Sequence, residues 1–109
     1  IVKSGEVNSE VLIAAQCGFL IILEIGIVLG FIIHNNDPMA FSGINSSSSM
    51  QVYYDLIYFN AITITTIGYG DIIPLSNEAR LVTSFIGIIS TFYTVILIGS
   101  LIGRFKRYK

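Results

Sequence analysis

The sequence predicts an all-α membrane protein: two spanning helices, a shorter apolar helix that enters the membrane without crossing it, and an extended segment behind that helix. Three observations carry this reading. Hydrophobic residues make up 53% of the 109 and charged residues 12%, about half the charged share of a soluble domain. Two stretches, 11–33 and 81–103, are apolar over the thickness of a bilayer. A third apolar run, 53–65, is too short to cross and ends against Gly68-Tyr69-Gly70.

The first span, an outer helix over 11–33, reaches roughly 34 Å at about 1.5 Å per residue, against a hydrocarbon core of about 30 Å. It is too long for the core of a signal peptide, and only Lys3 precedes it, with Glu6 and Glu10. Residues 1–10 are polar and mixed and suit an interfacial approach to the span. Glu24 is the only charge inside it. A carboxylate in a span is costly and normally faces protein or water. Glu24 falls at the depth of Ser90, so a contact with Ser90, Thr91 or Thr94 is expected, structural first and proton-sensing as the sharper alternative. Cys17 is the single cysteine. It excludes an intrachain disulfide and reads as a small buried hydrophobe. His34, at the edge of the span, reads as an ordinary interfacial residue.

Residues 34–52 form an outer loop. Asn35-Asn36-Asp37-Pro38 and the serines Ser46 to Ser49 are turn chemistry, expected to be exposed and mobile. Asn45-Ser46-Ser47 matches a glycosylation acceptor, a short pattern that arises often by chance. The run 53–65 carries Tyr53, Tyr54, Leu56, Ile57, Tyr58, Phe59, Ile62 and Ile64. It predicts a re-entrant helix, with Asp55 near its start, where a carboxylate favours a helix N-terminus. Gly68 and Gly70 end the helical run, and Pro74 delays the next helix, an inner one over about 79–105. Non-helical backbone at membrane depth survives only where protein or water surrounds it.

Charge sets the orientation. The tail carries Arg104, Lys106, Arg107 and Lys109, whereas Asp37, Asp55, Asp71 and Glu78 lie between the spans with Arg80 as the sole base there. Basic ends stay in the cytoplasm, so both termini are expected inside and residues 34–80 outside, in the cell membrane. The net charge of −1 argues against nucleic acid as a partner. An enzyme is not expected, and no catalytic residue or cofactor is assigned. The pair Gly68, Gly70 lacks the third glycine of a nucleotide loop, Ile73 standing there. No Ser/His/Asp set assembles around the single His34.

The chemistry sits in Thr65-Thr66-Ile67-Gly68-Tyr69-Gly70-Asp71. Stripping water from a cation needs several oxygens at matched distance. One extended chain offers one oxygen per level, and four chains around an axis offer a ring. Glycine at alternate positions permits the dihedrals that turn successive carbonyls to one side. Thr66-Ile67-Gly68-Tyr69-Gly70-Asp71 resembles the signature of the potassium channels, whose usual form has Val where Ile67 stands. The resemblance covers about residues 11–105, which makes 1–109 a single pore domain of the two-helix type.

By this resemblance, Thr66, Ile67, Gly68 and Tyr69 bind potassium through their carbonyls, with the Thr66 hydroxyl below, over a filter of 66–70. It likewise implies that Gly70, Asp71, Thr65 and Tyr58 support the filter, the Tyr58 hydroxyl bonding Asp71. Ile62 stands where some members of the family carry a carboxylate, so a carboxyl pair behind the filter is absent. Ser90 replaces the family's usual hinge glycine, leaving Gly87 and Gly99 as hinge candidates, Gly87 read first as a packing residue. Thr91, Thr94, Ile98 and Ile102 share one helical face, which by resemblance lines the cavity and gate. The partners implied are three identical subunits, membrane lipids against the basic tail and, if the chain is the pore of a longer channel, a cytoplasmic regulatory or voltage-sensing domain. The implied function is passive potassium conduction, with a non-selective cation channel and a non-conducting structural membrane subunit as the alternatives.

Overall fold

The computed structural model describes residues 9–108, with side chains over 9–103. The polar residues 1–8 and the side chains of Arg104, Lys106, Arg107 and Lys109 lie outside the described residues. The order is α1 (Ser9–Asn36), β1 (Phe41–Ser42), α2 (Ser49–Ile64), β2 (Ile73–Pro74) and α3 (Asn77–Tyr108). α1 and the Asn77–Gly103 part of α3 are long and apolar enough to cross a membrane. α2, with 16 residues, covers only about 24 Å and cannot.

α1 buries Val11, Ile22, Gly26, Ile27, Gly30 and His34, largely in steps of four, so one narrow stripe faces the other helices. Gly26 and Gly30 form a small-xxx-small pair on that stripe. A Cβ at Gly26 would run into Oδ1 of Asn60, and one at Gly30 would lie 3.0 Å from a Leu56 methyl. Leu56 is fully buried. α2 therefore lies against bare backbone of α1. Asn60 turns its own amide back to the Leu56 carbonyl at 2.9 Å, which satisfies the donor it carries into this contact. α3 is pinned nearer the other end, where the Tyr93 hydroxyl donates to the Ala15 carbonyl at 2.6 Å and its ring meets Phe19 edge-on, centroids 5.7 Å apart.

Four expectations need correction. The outer loop is not simply exposed: Ala40 and Phe41 are buried. Phe41 stacks edge-on with Phe59 at 5.5 Å, and β1 pairs antiparallel with β2, Phe41 opposite Pro74 and Ser42 opposite Ile73. A loop with apolar residues available uses them to close this end of the helices. Second, α2 begins four residues before the expected start because Ser48 caps it, its hydroxyl accepting from Gln51 N at 3.1 Å. Asp55, past the first turn, instead accepts from Asn45 N at 2.8 Å and from the Gln51 side chain at 3.0 Å. Third, Cys17 is exposed, because it lies away from the glycine stripe. Fourth, close packing falls to Gly26 and Gly30, whereas a Cβ at Gly87 or Gly99 would meet nothing within 4 Å.

Gly26→Ala should lower stability by about 1–3 kcal/mol through overpacking, whereas Gly99→Ala should hold or raise it. Thermal unfolding of the two purified variants in one detergent checks the contrast.

Candidate functional site

The site is the segment between α2 and α3. α2 stops at Ile64, and Thr65 caps it with N–H and hydroxyl bonds to the Ala61 carbonyl at 3.1 and 2.6 Å. The chain then tightens: Thr66 N donates to Thr63 O at 3.1 Å and Gly68 N to Ile62 O at 3.0 Å. From here φ is positive at every second residue, 64° at Thr66, 56° at Gly68 and 86° at Gly70. In an ordinary strand successive carbonyls point to opposite sides. Reversing the sign of φ at alternate residues swings them toward one side. Glycine takes this conformation freely, but Thr66 is β-branched, and holding it there costs on the order of 1–3 kcal/mol. The surrounding structure enforces that strain.

The exit is held as firmly. The Tyr58 hydroxyl donates to Asp71 Oδ2 at 2.7 Å, and Ile72 N donates to Asp71 Oδ1 at 3.1 Å. The expected tether is thus formed in the structure. Bonding to Asp71, with smaller effects of desolvation and of the Asp71 charge, raises the Tyr58 hydroxyl above its ordinary 10.0, so it remains a donor. Gly43, with φ of 93°, lies against the Asp71 carbonyl. Leu75 N then donates to Ala40 O at 2.7 Å. Ile62 is buried.

Below the filter, Thr66 shares one cleft with Gly87 and Thr91 and another with Thr91 and Thr94. These hydroxyls give their hydrogens to their own helix: Ser90 and Thr91 to the Gly87 carbonyl at 2.9 and 2.8 Å, Thr94 to Ser90 O at 2.8 Å. The lone pairs of Thr91 and Thr94 therefore remain as acceptors beside these clefts. The structure brings Thr66, Thr91 and Thr94 together. Ile98 and Ile102 are exposed farther along α3, outside both clefts.

Two sequence readings fail here. Glu24 is exposed and makes no contact with Ser90, Thr91 or Thr94. It lies on the far side of α1, and those hydroxyls already serve α3. His34 is not an ordinary interfacial residue: it is buried, Nε2 lies 3.3 Å from Ser46 Oγ, and Nδ1 has no partner among the described residues. Sequence reasoning also passed over Gly26, Gly30, Gly43 and Asn60. The glycine pair at i and i+4 was the available signal for the first two. Nothing local marks Asn60 or Gly43.

A short helix that ends inside the membrane, a backbone that leaves it with alternating handedness, and threonine oxygens beneath it define a pore-loop membrane protein. The chain belongs to the ion channel family, whose match covers residues 18–107, and it is a channel component rather than an enzyme. Among its relatives, the calcium-gated potassium channel TvoK of Thermoplasma volcanium is 32% identical over 81 residues, 74% of this chain and 21% of the relative. The hyperpolarization-activated voltage-gated potassium channel of Methanocaldococcus jannaschii is 41% identical over 44 residues, 40% of this chain and 20% of the relative. Two-pore potassium channel 1 of Arabidopsis thaliana is 38% identical over 55 residues, 50% of this chain and 14% of the relative. The chain thus spans about a fifth or less of the length of these relatives. No solved structure matches the chain significantly.

Tyr58→Phe should change single-channel open times, since it frees the Asp71 end of the filter. In the wild type the raised hydroxyl keeps the tether intact below 10.0 and loses it only as pH rises through the higher folded value. Open times should therefore be flat below that range and shift above it, and Tyr58→Phe should lack the alkaline limb.

Proposed function

We propose that the chain is one quarter of a potassium-selective pore that conducts passively across the cell membrane. The observation that carries this reading is the positive φ at Thr66, Gly68 and Gly70 with none at Ile67 or Tyr69. Such a backbone directs the carbonyls of Thr66, Ile67, Gly68 and Tyr69 to one side, and four copies around an axis would convert each level into a ring of oxygens. Ile67 and Tyr69, 53% and 71% exposed in the single chain, are the apolar surfaces that three neighbouring copies would cover. Several relatives are named as potassium channels, which supports the choice of ion.

In this reading the C-terminal end of α2, partially negative, favours a cation in the cleft below the filter. Thr91 and Thr94 line the cavity, and Ile98 and Ile102 form the apolar constriction toward the cytoplasm. α3 bends at Gly87, whose carbonyl accepts both the Ser90 and the Thr91 hydroxyl, a loading that favours helix bending. Gly99 is the second flexible point. Both termini are cytoplasmic, with Arg104 to Lys109 against anionic headgroups. A regulatory or sensor domain beyond this pore unit completes the gate.

Liposome flux tests the reading. Potassium flux should exceed sodium flux by about tenfold or more, about 1.4 kcal/mol of discrimination. Equal fluxes would select the non-selective cation channel, and no flux the structural subunit. Gly70→Ala, placed at φ 86°, should abolish conduction, and Ile102→Ala should raise basal conductance.

A further inference from the structure

Glu24 is the only charged residue within the first span, 11–33, and the pore reading leaves it without a task. The helix runs from Ser9 to Asn36, which puts Glu24 within about 2 Å of its midpoint along the axis. The residues two before and two after it, Ile22 and Gly26, belong to the buried stripe. At 100° per residue Glu24 is therefore turned about 160–200° from them. It faces away from α2 and α3, in an exposed row with Ile13, Cys17, Leu20 and Val28. No hydrogen bond or ion pair reaches it from the described residues.

A carboxylate at mid-membrane depth on a lipid-side face is costly, and such groups are almost always paired. Copies of this chain cannot supply a base there. Between Lys3 and Arg80 there is no Lys or Arg, and none between Arg80 and Arg104. Those residues precede α1, start α3 or follow Gly103 in the sequence, so no copy carries a Lys or Arg within either span, 11–33 or 81–103. The polar side chains of α3 at this depth, Ser90, Thr91 and Thr94, are hydrogen-bonded within their own helix. Leu20 of this row lines an apolar cleft with Gln16, Phe19, Leu23, Ala61, Ile64 and Thr65, but Glu24 is not among the residues that line it. A helix face does fit a helix.

We propose that the outward face of α1 docks a transmembrane helix of a second membrane protein that carries a Lys or Arg at mid-bilayer, paired with Glu24. The proposal rests on α1 lying in the membrane and not on ion selectivity.

Cys17 makes it testable, being the only cysteine, exposed, and two turns from Glu24 on the same face, about 10 Å along the axis. The full chain is reconstituted in phosphatidylcholine liposomes with a synthetic leucine–alanine transmembrane peptide. The peptide carries one central Lys and one Cys seven residues to either side of it, in two versions for the two helix orientations. Oxidation then joins the peptide thiol to Cys17 in a disulfide. In one orientation the Lys peptide should cross-link about tenfold more than the same peptide with Leu for Lys. Glu24→Gln and Glu24→Leu should bring the yield down toward that of the Leu peptide. Equal yields from the Lys and Leu peptides, or an unchanged yield in both variants, would overturn the proposal and show that Glu24 selects no basic partner. Potassium flux of Glu24→Gln, measured on the same vesicles, should match the wild type, so loss of the pore reading and loss of this one are read separately.

Discussion

Residues 65–76 leave helical hydrogen bonding inside an apolar environment, and the rest of the structure answers that constraint. Every backbone group they release needs a partner or a polar surface, since lipid offers neither. The entry is held by Thr66 N and Gly68 N reaching back to Thr63 O and Ile62 O. The exit is held by Asp71, which accepts from the Tyr58 hydroxyl and from Ile72 N, and by the short β1–β2 ladder. Only the stretch between these anchors is exposed along its length, and there φ alternates in sign. Anchoring both ends lets Thr66 stay in a conformation its branched side chain disfavours.

Those anchors are only as well placed as α2. Helices in lipid gain little from hydrophobic burial, because the tails are as apolar as leucine, so association depends on close packing and interhelical polar contact. The Gly26–Gly30 pair supplies the first, by admitting Asn60 and Leu56 against the α1 backbone. Tyr93 supplies the second, by bonding the Ala15 carbonyl from α3. A glycine on the outer helix therefore helps set the position of a filter to which it is not bonded. The outer loop completes the brace, with Ala40 and Phe41 packed into the cluster that holds Leu56, Phe59 and Ile72.

The hydroxyls of α3 show how one residue type serves two ends. Given internally, their hydrogens load the Gly87 carbonyl twice. The oxygens of Thr91 and Thr94 are left as acceptors beside the clefts they share with Thr66.

The sequence by itself determined what depends on local composition. Two apolar runs of membrane length set the spans, a third too short to cross set the re-entrant helix, Gly68 and Gly70 kept the segment behind it from staying helical, and Pro74 delayed the next helix. The family resemblance that the signature carries also implied the Tyr58–Asp71 pair, which meets at 2.7 Å. Only the tertiary structure decided which way each helix turns. Hydropathy reports how a residue partitions between water and lipid, and that is the same on every side of an apolar helix. It could not tell that Gly26 and Gly30 pack while Gly87 opens on a cleft, that Glu24 faces away from Ser90, that Cys17 is exposed, or that His34 is buried. Nor could it reveal that Ser48 caps the helix while Asp55 lies past its first turn, or that Gly43 lies against Asp71 from a distant loop. Each of these is a relation between surfaces brought together by folding, and helix rotation is chosen by close packing rather than by the affinity of any one residue for the membrane.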